Sequence, residues 1–290
     1  MHYRTKETLS GYLSLLPAFL ALTAIIFYPM ANTFFHSFTK WDGATSHWIG
    51  LRNYKFIFTN GELWTLLRNN VIFLLSIPGI LLLSLIVSVL LFEEVRGWRF
   101  FRSLYYIPTI LSSVVVGLLM RMMFAQSGVI NQFLHALGLS DGKLEWLSHV
   151  PTAFLVLIFC FYWQTLGQGA LIFLSGLSSI SHEIFESSSI DGANWWQRLF
   201  HITIPSLIPT IVYFTVTNAI YCFIGLFALV YSVTKGGPGL ETTPIDYMIY
   251  IKAFQSPDQL GYSSALSIVL FVIVLFVSWV QLRLSNRFQE

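Results

Sequence analysis

Six apolar stretches, each long enough to cross a lipid bilayer, dominate this sequence: residues 11–33, 66–92, 104–125, 152–175, 206–231 and 262–284. A helix rises about 1.5 Å per residue, so about 20 mostly apolar residues suffice for a hydrocarbon core about 30 Å thick. The expected fold is therefore all-α, a polytopic membrane protein with six transmembrane helices. Composition supports this, with 55% hydrophobic and 10% charged residues and a mean hydropathy of +0.68. An even number of spans puts both termini on one side.

Charge selects the side. Arg4, Lys6, Arg96, Arg99, Arg102, Arg198, Arg283 and Arg287 fall on one face, and Lys40, Arg52, Lys55, Lys143, Lys235 and Lys252 on the other. The densest short cluster, Arg96 to Arg102, marks its loop as cytoplasmic. The basic start, Met1 to Lys6, precedes an apolar run that holds Pro17 and Pro29 and no clear small-residue cleavage site, and reads as a retained first span. A net charge of +2, with basic residues scattered through loops, does not suggest nucleic acid. Cys160 and Cys222 both lie in apolar stretches without metal or disulfide spacing.

One polar connection is too long to be only a link. Between the fourth and fifth apolar stretches the chain carries His182, Glu183, Glu186, Asp191, Arg198 and His201, so this segment faces water or a partner. Ser181 is a plausible N-cap and Glu183 sits in the first turn, where the helix dipole favours a negative charge. Gly192, free to take backbone angles closed to other residues, should end that helix. Asp191 can then cap a second helix, on which Trp195, Leu199 and Ile202 recur at helical spacing beside Trp196 and Phe200. Such an amphipathic helix either lies in the headgroup layer or offers an apolar knob to a groove on another protein.

Catalytic signatures are missing. The chain has no Gly-x-x-x-x-Gly-Lys-[Ser/Thr] loop, and Gly142-Lys143 lacks the glycine frame, so the chain is not itself an ATPase. His182-Glu183 begins like a zinc protease motif, but Glu186 occupies the place of the second histidine. No Gly-x-Ser-x-Gly elbow occurs. No cofactor, metal or catalytic activity is expected.

The polar connection resembles the cytoplasmic signature of permease subunits of binding-protein-dependent ABC importers: Glu-Ala-Ala, three residues, Gly, nine residues, Ile, one residue, Leu-Pro. Here the same spacing carries Glu186-Ser187-Ser188, Gly192, Ile202 and Ile204-Pro205, with Asp191-Gly192-Ala193 as in sugar-type members. Serines replace both alanines and isoleucine replaces leucine; the serines keep a close helix contact possible while adding hydroxyls. Further likeness lies in Gly50-Leu51-Arg52-Asn53-Tyr54, in Phe101-Arg102 with Ile107-Pro108, and in Gly128-Val129-Ile130-Asn131. It continues through Thr234-Lys235-Gly236-Gly237-Pro238-Gly239, Ile249-Tyr250, Ala253-Phe254 and Gly261-Tyr262-Ser263-Ser264-Ala265, so that it covers roughly residues 50–288.

The resemblance implies a six-span permease with a short cytoplasmic coupling helix between spans four and five, divided into residues 1–65 (first span and outer loop) and 66–290 (permease core, coupling loop 178–205). Glu186, Ser187, Ser188, Asp191, Gly192, Ala193, Ile202 and Pro205 would couple it to the ATPase. Polar and aromatic side chains on protein-facing sides of spans are candidates for a translocation path. Phe161, Gln164, Thr165 and Gln168 share one face of the fourth span, and Asn218, Tyr221, Cys222 and Gly225 one face of the fifth. The resemblance implies substrate contacts from these two spans, although polar residues there serve equally well to glue helices together. Its implied partners are a second permease, two ATP-binding subunits, an extracytoplasmic binding protein and a carbohydrate or related polyol, in a bacterial or archaeal inner membrane. A secondary transporter is the alternative, and would call for spans broken at midplane and intramembrane carboxylates.

The charge pattern predicts that single cysteines replacing Asn53, Lys143 and Lys235 react with impermeant maleimide at the outer face of intact cells. Protection of all three would reverse the orientation.

Overall fold

The computed structural model describes residues 14–287. The basic start, the first residues of the predicted first span and the end of the matched region at Phe288 lie outside the described residues. Two compact units are distinguished: the described part of Met1–Gly61 together with Ile249–Phe271, and Glu62–Met248 together with the described part of Val272–Glu290.

In the first unit, the first span runs Ser14–His36, passing through a π-helical turn at Thr23–Phe27 just before Pro29. A wide turn there accommodates a residue with no N–H to donate. The span's apolar window is wholly exposed in this chain, so its surface is left for lipid or another protein. A hairpin follows, with β1 (Thr39–Trp41) antiparallel to β2 (Ser46–Trp48) and Lys40 opposite His47. Asp42 closes its turn by accepting from the Ala44 and Thr45 amides at 2.9 and 2.6 Å and the Thr45 hydroxyl at 2.7 Å. Those donors stabilise the carboxylate and hold its pKa well down, at about 2.

The Gly-x-x-Asn-Tyr stretch has a physical role here. Asn53 donates to the Ser37 and Thr39 carbonyls at 2.9 and 3.0 Å, and the Tyr54 hydroxyl donates to Ser37 Oγ at 2.7 Å, clamping the end of the first span. Gly261, at the start of the sixth span, touches the Thr39 carbonyl so closely that a Cβ would overlap it.

In the second unit, two further helices are long and apolar enough to cross a membrane unaided, Glu62–Phe92 and Val150–Ser178; Ser14–His36 and Leu260–Val280 bring the total to four. Two bent pairs are long and apolar enough only when each is taken together: Trp98–Ile110 with Ser113–Met123, bent by 102°, and Trp195–Ser206 with Ile208–Ile224, bent by 65°. Counting each pair as one span makes six. The third span is thus broken where an unbroken helix was expected, and the fifth ends at Ile224. Residues 227–231, expected in the fifth span, belong instead to a separate helix, Phe227–Val233, against the second half of the third span.

Lipid supplies no hydrophobic force between helices, so packing relies on small residues and satisfied polar groups. The fourth span is built this way. A Cβ on Gly167 would overlap the Tyr105 carbonyl of the third span, one on Gly169 would meet Ser84 of the second and Phe214 of the fifth, and one on Gly176 would meet Leu207. At the break in the third span, Leu111 and Ser112 are extended, which strands backbone groups. Gln164 of the fourth span donates to the Leu111 carbonyl at 3.2 Å and to Ser113 Oγ at 3.1 Å, while Thr109 donates to the Gln164 carbonyl at 2.8 Å.

At the other end of the second span, two adjacent asparagines are fully buried. Asn69 donates to the Thr243 carbonyl at 2.9 Å. Asn70 donates to the Cys222 carbonyl at 2.6 Å and accepts from the Ile245 amide at 3.1 Å, bridging the end of the fifth span to the helix that starts at Ile245. Replacing Asn70→Leu strands both backbone groups. A cost of about 1 kcal/mol or more per group should appear as a lower thermal unfolding midpoint in detergent. An unchanged midpoint would remove the bridging role.

Candidate functional site: a two-helix loop and a polar cleft

The connection between the fourth and fifth spans folds as two short helices. The first is His182–Ile190, with Ser181 as N-cap accepting from the Glu183 amide at 3.4 Å. It ends in a Schellman arrangement: the Ala193 amide donates to the Ser188 carbonyl at 3.0 Å and the Gly192 amide to the Ser189 carbonyl at 3.2 Å. That geometry needs the left-handed backbone of Gly192, at φ +76°; around a Cβ there the chain itself leaves open space, so the constraint on this glycine is its backbone angle. Asp191 is the C-cap of the first helix.

The second helix is capped by Asn194, not by Asp191 as expected. Asn194 Oδ1 accepts from the Gln197 amide at 2.9 Å, and Gln197 Oε1 accepts from the Asn194 amide at 2.8 Å. This reciprocal box wins because Asn194 directly precedes the helix, whereas Asp191 is already held in the turn that closes the first. The second helix runs Trp195–Ser206 with a π-helical stretch at Leu199–Thr203 ahead of Pro205, then bends at Leu207 into the fifth span. Ile202 is half-buried at that junction and Pro205 exposed, while Leu207 is fully buried against Gly176.

The three serines bond to their own helix. Ser187 donates to the Ile184 carbonyl at 3.1 Å, and Ser188 and Ser189 both donate to that of Phe185 at 2.8 Å. Ser188 is buried and Ser187 exposed, so the small side chain matters for packing at Ser188. Glu186 is exposed on the same helix.

Behind the two helices lies an open hollow of about 540 Å³, walled by Val89, Phe92, Leu177, Phe185, Trp195 and Leu199. Its edges are tied. Trp195 Nε1 donates to Glu93 Oε1 at 2.5 Å, Phe92 and Phe185 lie 5.9 Å apart between ring centres, and Arg198 donates to Ser189 Oγ at 3.1 Å. The loop is therefore fastened to the end of the second span as well as to the fourth and fifth. Ile190, 85% exposed, stands at the rim of this hollow, while Ile184, Trp196 and Phe200, also exposed, are not part of its wall. An apolar surface of this kind, standing on a polar loop, suits either the headgroup layer or the groove of a partner.

The polar faces of spans four and five divide. Phe161 and Cys222 are fully buried, and Phe161 stacks on Tyr221 with ring centres 5.9 Å apart. Asn218 is buried and bonds back to the Phe214 carbonyl of its own helix at 2.9 Å. Gln164 is engaged at the break of the third span. A Cβ on Gly225 would overlap the Tyr221 ring, so this glycine makes room for it. Thr165 and Tyr221 are half-buried, and Gln168 is exposed.

Farther along the face of the fourth span that carries Gln168 lies a polar stripe that the sequence reading missed. Ser175 and Ser179 continue that face, and opposite them stand Thr210 and Tyr213 of the fifth; with Ile172 and Gly176 they line an open cleft of about 620 Å³. Helical spacing from Gln168 by 7 and 11 residues was the available signal. Among the described residues the only carboxylate in any span is Glu62, in the first turn of the second, and no cluster of His, Cys, Asp and Glu could hold a metal ion.

The chain belongs to the family described as "Binding-protein-dependent transport system inner membrane component", which matches residues 57–290. It is 35% identical over 287 residues to the probable ABC transporter permease protein YesP of Bacillus subtilis, covering 97% of this chain and 92% of that one. It is 32% identical over 274 residues to the multiple sugar-binding transport system permease protein MsmF of Streptococcus mutans, covering 93% of each. A bacterial ABC transporter involved in import of the acidic polysaccharide alginate shares the fold, with a TM-score of 0.82 at 23% identity over 97% of this chain and 98% of that one.

Because the Ser187 and Ser188 hydroxyls serve only carbonyls of their own helix, the double replacement Ser187→Ala with Ser188→Ala should change stability by no more than about 0.5 kcal/mol. Complex assembly should stay at the unmodified level. Loss of the complex would assign these hydroxyls to a partner.

Proposed function

We propose that this chain is one of the two membrane-spanning halves of an ATP-driven, binding-protein-dependent importer of a carbohydrate or related polyol. The observation that carries this reading is the two-helix loop: a polar connection, stiffened by a Schellman turn and a capping box, holds Ile190, Trp196 and Phe200 out of the chain with nothing here to cover them. The family is defined by dependence on a binding protein, and the name of the Streptococcus mutans relative supplies the sugar class.

In this reading two ATP-binding subunits dock on the loop from the cytoplasm, where both termini also lie, and ATP hydrolysis is theirs. A second permease pairs with this one, and the exposed first span is surface available to it or to lipid. Closing of the ATPases pushes on Glu186 to Ala193. The push reaches the fourth span directly, the fifth through the bend at Leu207, and the second through Trp195 and Glu93. The substrate passes between spans four and five, along the cleft of Ser175, Ser179, Thr210 and Tyr213 and then past Gln168, Thr165 and Tyr221, an amide, a hydroxyl and a ring suited to sugar hydroxyls and sugar faces. Phe161, Asn218, Cys222 and Gly225 support that wall from behind, and Gln164 secures the break in the third span.

Gly192→Pro tests the coupling. Proline fixes φ near −65° where the chain has +76°, and it removes the amide that donates to Ser189. A penalty of about 3 kcal/mol or more follows, and about 1.4 kcal/mol is already tenfold in an equilibrium. The expected result is a membrane-inserted subunit with reduced ATPase co-purification, or a complex whose hydrolysis no longer answers to the loaded binding protein. Normal transport at normal expression would show that the loop is not the coupling element.

A further inference from the structure

Between the second span, ending at Phe92, and the helix that begins at Trp98, the chain turns through an elbow at Glu93–Gly97, with Gly97 at φ +89°. Three arginines, Arg96, Arg99 and Arg102, follow one another at every third residue, and all three are exposed. Among the described residues none of them forms an ion pair, in contrast to Arg68, which is paired with Glu241. Of the two neighbouring carboxylates, Glu93 is engaged by Trp195, which leaves Glu94 alone against three guanidinium groups.

Beside these charges lies an apolar trough of about 200 Å³, walled by Leu90, Leu91, Val95, Phe101 and Tyr105, with Arg96 and Trp98 at its edge. Arg99 sits over the Trp98 ring, 5.4 Å from its centre. Phe100, 68% exposed, stands next to it. Arginine and tryptophan at the end of a span belong at headgroup level. The 13-residue helix starting at Trp98 also turns its positive end toward this point.

We propose that this elbow binds an anionic phospholipid from the leaflet on the side of the two-helix loop, its acyl chain in the trough and its headgroup on Arg96, Arg99 and Arg102. Charge complementarity selects the occupant: a zwitterionic lipid would fill the trough yet leave three cations without a counter-charge, and a soluble anion would answer the cations yet leave the trough empty. The proposal rests on the membrane location of the family and not on the transported substrate, so its failure leaves the permease reading intact.

The assembled transporter, purified in detergent, is titrated with dioleoylphosphatidylglycerol, dioleoylphosphatidylcholine or glycerol 3-phosphate, and retained lipid is counted by native mass spectrometry. Each basic residue near an anionic surface contributes roughly fivefold in affinity. The unmodified complex should therefore prefer phosphatidylglycerol at least tenfold over phosphatidylcholine, and Arg96→Gln with Arg99→Gln and Arg102→Gln should lose that preference. The triple change to lysine should keep it. Leu90→Trp, which fills the trough and leaves every charge, should lose it again. Equal phosphatidylglycerol retention by the glutamine variant and the unmodified complex overturns the proposal. So does displacement of the lipid by glycerol 3-phosphate, which would make this a simple anion site, or loss of a protein subunit from the glutamine variant with lipid retention unchanged, which would make it a protein interface. Should the glutamine variant fail to assemble, the lysine and Leu90→Trp variants decide by the same counts.

Discussion

The fourth span can be approached on three sides by other backbones, and the rest of the second unit is arranged around that fact. Gly167, Gly169 and Gly176 remove the Cβ atoms that would otherwise overlap Tyr105 of the third span, Ser84 and Phe214 of the second and fifth, and Leu207 at the bend. In a membrane this closeness matters more than side-chain apolarity, because lipid satisfies apolar surface as well as protein does. Dispersion contacts and backbone-level hydrogen bonds then hold the helices, and both require short distances.

That closeness makes broken helices tolerable. A span interrupted at Leu111 and Ser112 would be costly if its backbone groups faced lipid. Gln164 can reach them because Gly167, one turn away, has drawn the two spans together. The same logic operates at the opposite end of the unit, where Asn69 and Asn70 satisfy carbonyls and an amide in the 222–245 region that no regular helix supplies. Breaks in spans are often a sign of ion-coupled transporters, yet here they come with no carboxylate in the interior of any described span. The break and the ion site are separable features.

Mechanically, the two-helix loop joins three spans at once. The first helix continues from the fourth span, the second bends into the fifth, and Trp195 with Glu93 adds the second span. A displacement of the exposed apolar side, at Ile190, Trp196 and Phe200, is therefore shared among three helices that border the polar cleft or support it. The hollow behind the loop leaves room for such a displacement without compressing the packed interior.

Much of this was legible from the chain alone. Span number and loop polarity follow from apolar lengths, which act locally and survive any arrangement of neighbours. Gly192 as a turn and the spacing from Glu186 to Pro205 follow from backbone geometry within one segment. Three things required the tertiary structure. Which residue caps the second helix was decided by competition, since Asp191 was already committed to the preceding turn while Asn194 and Gln197 could pair. Whether Gln164, Asn218 or Gln168 is engaged or left exposed depended on what stands opposite each: a broken helix, its own helix and open space, respectively. The division of the third span at Leu111 was hidden because each half remains apolar, and only the presence of Gln164 at the gap makes the interruption affordable. Local sequence reports what a segment can do by itself; a polar group inside a membrane is assigned by its neighbour across the interface.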